Sequence, residues 1–298
     1  MTFRIAAVVF VSMAAGLAPA QEATLSADEI IQKHITAMGG AGKLKAIQSS
    51  RATGKAVMGG GQMEASVTMW QKRPNRMRME MNIQSRPLVT AFDGEIAWMI
   101  NPFQGSTEPQ KLGEDETRSA MDQADLDGAL VDYQAKGHTI EVQGKEDVEG
   151  SPAWKLKVTR KNGLSDIQYI DAQTWLITKI VARRKQMGQE LEIEAFPGNY
   201  KPVNGVLLPH AIEQKMSGRT MFQMTFEKFE PNLTIDDSLF RMPVPEAKRK
   251  SRKNRRIVKC FAVFERRCYA SRPRRRPRSG STRRCSAPSK PARSARRR

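Results

Sequence analysis

Over residues 62–69 and 76–83 apolar and polar side chains alternate, and this period of two, taken up again in later segments, restricts most of the chain to β-sheet. Met63, Ala65, Val67 and Met69 alternate with Gln62, Glu64, Ser66 and Thr68. After the turn Lys72-Arg73-Pro74-Asn75, Met77, Met79, Met81 and Ile83 alternate with Arg76, Arg78, Glu80 and Asn82. Successive side chains of a strand point to opposite faces, so each segment has one apolar face and one wet face. Further segments with strand character run over 88–92, 96–100, 153–159, 166–170, 175–182, 190–196, 206–214 and 220–229. Asp93-Gly94, Asn162-Gly163, Met187-Gly188 and Ser217-Gly218 punctuate them as turns. About ten or eleven antiparallel strands make a sheet wide enough that it must curl or close. The fold class expected is mainly β: a single curled sheet, an open half barrel.

Two stretches have the helical period instead. Ser26-Ala-Asp-Glu29 is a capping box, followed by Ile30, Ile31, His34, Ile35 and Met38, with Gly39-Gly40 as the stop. A short turn over 43–47 presents Leu44 and Ile47. From Glu114 to Ala135, Ala120, Met121, Ala124, Leu130 and Val131 supply an apolar stripe. The simplest way to bury such helices lays them against the concave face of the sheet.

The ends differ from this body. Arg4, the apolar stretch Ile5 to Leu17 and Ala18-Pro19-Ala20 have the form of a secretory signal peptide over 1–20, cut after Ala20. Residues 21–246 form one near-neutral domain with 27 bases and 30 acids, although the whole chain has a formal charge of +19. The basicity sits in residues 247–298, with 22 Lys and Arg against the single acid Glu265. That composition cannot bury a core. Three readings of the tail stand: a segment that binds anionic lipid or nucleic acid, a solvated tail, or out-of-frame translation of GC-rich DNA. Nucleic-acid binding would depend on the tail alone. Cys260, Cys268 and Cys285 all lie there, so no disulfide or thiolate metal site supports the body.

The search for catalytic groups is negative, and the chain is expected not to be an enzyme and to need no cofactor or metal. His34, His138 and His210 show no metal-ligand spacing, and no serine sits in a G-x-S-x-G elbow. Asp125-Leu-Asp127-Gly128 matches part of a calcium loop, but Gln123 and Gln134 stand where its outer carboxylates belong. Methionine carries more information. Met58, Met63, Met69, Met77, Met79, Met81 and Met99 crowd into 42 residues, mostly on inward strand positions, in a chain with 6% aromatics. Methionine adapts to irregular occupants, and large fillers for a wide barrel are scarce. This pattern points to an apolar cavity lined by Met63, Val67, Met69, Met77, Met79, Met81, Ile83, Trp98 and Ile100, with Met121 and Leu130 from the helical stretch. An acyl chain would gain up to about 0.8 kcal/mol per CH₂ buried there.

Over residues 27–243 the chain resembles the outer-membrane lipoprotein-sorting (LolA-like) proteins. The resemblance is carried by Ala37-Met-Gly-Gly40, Leu44-x-x-Ile47, Phe92-Asp-Gly94-x-x-x-Trp98 and Tyr169-Ile-Asp171. Tyr200-x-x-Val203-x-Gly205-Val206-x-x-Pro209 completes it. It implies an eleven-stranded half barrel closed by helices, whose cavity receives lipoprotein acyl chains in the periplasm. It also implies an inner-membrane donor, an outer-membrane acceptor, peripheral membrane contact, and an arginine that holds the lid closed. Arg51, Arg76 and Arg78 are the strand candidates for that arginine. Mycobacterial relatives of this fold bind other lipids. The alternative function is a scaffold module of the cell envelope that senses lipid or a partner without transport.

Overall fold

The computed structural model describes residues 25–186 and 189–243. The expected signal peptide and basic tail lie outside the described residues. All described residues belong to one unit, Met1–Val244, of the two into which the chain divides.

The unit opens with α1 (Ala27–Ala37) and α2 (Ala41–Ala46), then β1 (Ser49–Met58), β2 (Met63–Lys72), β3 (Arg76–Ile83), β4 (Arg86–Phe92), β5 (Ala97–Ile100) and β6 (Gln110–Lys111). After α3 (Glu114–Ala124) come β7 (Thr139–Val148), β8 (Ser151–Thr159), β9 (Ser165–Asp171), β10 (Ile177–Gln186), β11 (Gln189–Val203), β12 (Val206–Met216) and β13 (Arg219–Pro231). All thirteen strands form one antiparallel sheet in the order β6-β5-β4-β3-β2-β1-β13-β12-β11-β10-β9-β8-β7. The chain thus starts mid-sheet and walks to one edge. It crosses through α3 to the other edge and returns to pair β13 with β1. The sheet is a curled, open half barrel with few helices.

Three strands go beyond the ten segments with clear alternation, and each has a physical reason for being hard to read. β1 alternates through Ala52, Gly54 and Ala56, whose small side chains carry little hydropathy signal. The register of β7 shifts between Val142 and Lys145, at Gly144, which breaks its period. β6 has two residues.

The capping box of α1 forms as its sequence requires: Glu29 N–H donates to Ser26 Oγ (3.3 Å), and Ser26 N–H to Glu29 Oε2 (2.8 Å). Helix α3 is shorter than its apolar stripe and ends at Ala124. There the Asp125 carboxylate accepts the Asp127 N–H (3.1 Å), and Gly128 takes φ +69°. These local bonds turn the chain away from helix. The main core packs Ile30, Ile31 and Ile35 of α1, Leu44 and Ile47, and Leu130 and Val131 onto Trp154, Leu156, Val158 and Ile170 of the sheet.

The motifs of the resemblance prove to be joints between these parts. Leu207 N–H donates to the Met38 carbonyl (2.9 Å), so the α1–α2 turn is pinned to the β11–β12 turn. At that contact a Cβ on Gly39 would lie 2.2 Å from the Gly205 carbonyl oxygen, at φ +114°. Only glycine fits there. Tyr200 donates its hydroxyl to the Ile177 carbonyl (2.8 Å), and burial raises its pKa.

Candidate functional site

The register fixes which side chains share the concave face. Val67 stands opposite Met81, Met69 opposite Met79, and Ala65 opposite Ile83, so the inward sets of β2 and β3 form one apolar surface. It continues through β1, where Ala52 faces Met69 and Ala56 faces Ala65. On β13, Phe229 faces Ala52, Phe226 faces Gly54 and Met224 faces Ala56. Phe226 and Phe229 share this face despite an odd spacing because Glu227 bulges out of the pairing between Thr53 and Gly54. A Cβ on Gly54 would lie 2.0 Å from the Thr225 carbonyl oxygen, so glycine permits the close approach at this bulge.

Over the upper part of this surface lies a cavity of about 170 Å³. Ser50, Met69, Gln71, Leu208, Pro209, Ile212, Phe226, Phe229 and Pro231 form its floor, with Val203 beside them, and Leu44, Ile47 and Leu126 its roof. Met69, Met79, Met81, Ile212, Phe222 and Phe229 are half-buried and extend the apolar lining beyond the cavity. His210 is buried at the back, edge-on to Phe229 at 4.8 Å, with Nδ1 3.0 Å from the Leu208 carbonyl oxygen.

One arginine holds the roof. Arg73, in the β2–β3 turn, donates from both Nη atoms to the two carboxylate oxygens of Asp127 (2.6 Å each). Its Nε donates to the Ile47 carbonyl (2.8 Å), and Nη2 also reaches the Leu44 carbonyl (3.2 Å). A planar fork is suited to this role because it satisfies a carboxylate and two helix-end carbonyls together. The hydrogen bond to Arg73 holds the Asp127 carboxyl below its ordinary value against the opposing effect of burial. The strand arginines have other work. Arg51 pairs with Glu230, and Arg76 reaches the Asp93 carbonyl (3.2 Å) and Asp237 (3.6 Å). Arg78 reaches Glu80 and the Leu239 carbonyl (3.2 Å). All three alternate with the inward residues and point away from the helices. A turn residue has no periodicity to mark it, which is why Arg73 is inconspicuous in the sequence.

Helix α3 spans the opening of the half barrel. On one side Ala120 and Ala124 pack on Met77, Phe92 and Ala97. On the other, Asp122 meets Arg160 (2.8 Å) and Arg184 (3.7 Å), while Arg160 also pairs with buried Asp166 (2.6 Å). Desolvation pushes the Asp122 carboxyl up in spite of the two guanidinium groups.

The structure places Met63, Val67, Met69, Met77, Met79, Met81 and Ile83 on the concave face, with Met58 and Met99. Met77 is covered by α3, and Met63 is exposed at the rim. Trp98 and Ile100 are corrections: they alternate with inward Ala97 and Met99 and lie on the opposite face. There Trp98 Nε1 donates to the Phe240 carbonyl (2.7 Å), and Ile100 packs with Met242. A four-residue strand gives too few residues to read its face from the sequence. Leu130 is core beneath α1. Met121 is 37% exposed and borders a separate, more polar opening of about 540 Å³ with Pro74, Asn75, Lys136 and His138. Phe226, Phe229, Ile212 and Arg73 join the site beyond the residues that the sequence pattern predicts.

The 13-stranded sheet with helices on its concave side has counterparts among solved structures. A DUF1329 family protein from Desulfovibrio piger superposes with a TM-score of 0.50 at 11% identity, covering 72% of this chain and 97% of that one. The LolA superfamily protein NE2245 from Nitrosomonas europaea gives 0.50 at 11% identity, over 73% of this chain and 98% of that one. The fold is LolA-like. At this identity the likeness concerns the fold alone. No family model matches the sequence. No curated protein matches it either. The sheet has thirteen strands where the resemblance implies eleven.

Proposed function

We propose that this LolA-like chain is an exported carrier that takes up acyl chains of lipoproteins or other lipids in the periplasm, and that it is not an enzyme. The observation that carries the reading is the half-exposed apolar concave face, running into a cavity whose roof hangs on one arginine. A water molecule takes about 30 Å³ of liquid, so a cavity of about 170 Å³ holds the volume of roughly six. That space suits the end of an acyl chain. The remainder would lie along Met69, Met79 and Met81, whose flexible thioethers adapt to different shapes. Admitting more chain requires the roof of Leu44, Ile47 and Leu126 to lift, which breaks the hydrogen bonds of Arg73. Arg73 is thus the closing device of the proposed lid, and an outer-membrane sorting role with donor and acceptor proteins is the finer form of the proposal.

The test is extraction of the purified chain followed by mass spectrometry of bound lipid, with titration of a fluorescent fatty acid in parallel. Co-purified lipid or saturable binding that a Met69→Trp variant loses supports the carrier. Protein that is repeatedly empty and does not bind the fluorescent acid ends the proposal.

A further inference from the structure

Four large apolar side chains among the described residues are well exposed, and three of them lie at one end of the sheet. Met63 opens β2, Met221 lies near the start of β13, and Phe103 follows β5; they are 42%, 47% and 48% exposed. The pairing fixes their common end. Met58, the last residue of β1, stands opposite both Met63 and Phe222. Ala65 pairs with Ile83 near the β3–β4 turn, and Val89 of β4 pairs with Ile100, just before Phe103.

Hairpin tips gather at this end. Gly59, Gly60 and Gly61 join β1 to β2, Gln84-Ser85 joins β3 to β4, and Ser217-Gly218 joins β12 to β13. Residues 58–64, 83–86, 101–109 and 216–221 hold two arginines, Arg86 and Arg219, and two acids, Glu64 and Glu108. Neither arginine has an ion-pair partner among the described residues, whereas Arg51, Arg73, Arg78, Arg160 and Arg184 are all paired.

From these tips the concave face runs inward as successive apolar rows. The outermost row is Met63–Met58–Phe222, followed by Ala65–Ala56–Met224, then Val67–Gly54–Phe226, then Met69–Ala52–Phe229 at the cavity. The rows end on the cavity floor. From Met58 to Ser50 the path is ~27 Å at ~3.4 Å per residue.

We propose that this end of the sheet docks on an anionic lipid surface, placing the Met63–Met58–Phe222 row where an acyl chain enters. Separate side chains projecting from hairpin tips make no flat patch for a folded partner, but each can enter a fluid interface. Three apolar side chains beside two unpaired arginines fit a reversible, salt-sensitive contact. Docking stands on the exposed tips alone; the entry path rests on the carrier reading.

The experiment is flotation of the full chain with phosphatidylcholine vesicles, with and without phosphatidylglycerol, at low and high salt. The basic residues 247–298 are present in every variant, so differences between variants report the tips. The triple change M63S/F103S/M221S is expected to weaken binding to phosphatidylglycerol vesicles at least tenfold at high salt, where the tail is screened. R86Q/R219Q is expected to weaken it severalfold at low salt. Met121→Ser, at the fourth exposed site, leaves binding unchanged. Thermal melting confirms that each variant folds. Undiminished binding by the triple variant assigns the contact to the tail and overturns docking. Fatty-acid binding without vesicles separates the two readings. A double change F103S/M221S, at residues outside the entry row, that keeps it and loses vesicles supports docking, and a wild type that floats through its tips yet takes no fatty acid defeats the carrier alone.

Discussion

Arg73 and Asp127 lie 54 positions apart and meet through two 2.6 Å hydrogen bonds, fastening the segment after α3 to the β2–β3 turn. The same guanidinium holds the end of α2 by its carbonyls. Removing it leaves a partly buried carboxylate and the Ile47 carbonyl without the donor that they have here. Arg73→Leu is expected to lower stability by about 2 kcal/mol and to speed both uptake and loss of a fluorescent fatty acid. Arg73→Lys keeps the charge and lacks the fork, so its stopped-flow rates should fall between the two. Unchanged rates in both variants would remove Arg73 from the lid.

His34 gives a pH dependence with a definite sign. It is buried in α1, its Nδ1 lies 2.8 Å from the Trp175 carbonyl oxygen, and desolvation holds its pKa below the ordinary value of 6.5. The unfolded chain therefore takes up this proton first. Stability from this site is fully present above pH 6.5 and declines as the pH falls through the depressed folded value. Melting temperatures from pH 8 down to 5 should show a decline that His34→Gln flattens. A decline of equal size in the variant would assign the effect to other groups.

Gly39 tests the joint between the helices and the sheet. Gly39→Ala adds a methyl 2.2 Å from the Gly205 oxygen at φ +114°, which the local backbone cannot accept. The expected cost is about 2 kcal/mol or more. Urea denaturation measures it. A loss below a few tenths would mean that the α1–α2 turn shifts freely.

Most of the fold is legible in the sequence because its strongest signal, alternation, is set locally by which face is wet. The inward methionines of β2 and β3 fall where that alternation puts them. Legibility stops where three-dimensional events reset the count. The bulge at Glu227 brings Phe226 and Phe229 to one face, and the brevity of β5 hides that Trp98 faces outward. The closing arginine is invisible for a different reason. Its partners, Asp127 and the carbonyls of Leu44 and Ile47, come from segments that only the completed sheet brings together. Asp125 and Asp127, which look like fragments of a calcium loop, are consumed by Lys136 and Arg73.

The two faces of the sheet can be separated experimentally. Trp98→Phe removes the hydrogen bond to the Phe240 carbonyl on the outer face and should cost about 1 kcal/mol of stability, with fatty-acid affinity unchanged. Met69→Trp works on the inner face. The larger ring fills the cavity above Ala52 and next to Phe229, at a packing cost of about 1–3 kcal/mol, and should abolish uptake while the far-ultraviolet circular dichroism stays that of the wild type. The pair of variants makes the assignment strict, because one loses stability without binding and the other loses binding with the sheet intact. If Trp98→Phe impaired uptake and Met69→Trp did not, the ligand would be on the outer face, and the concave surface would be core alone.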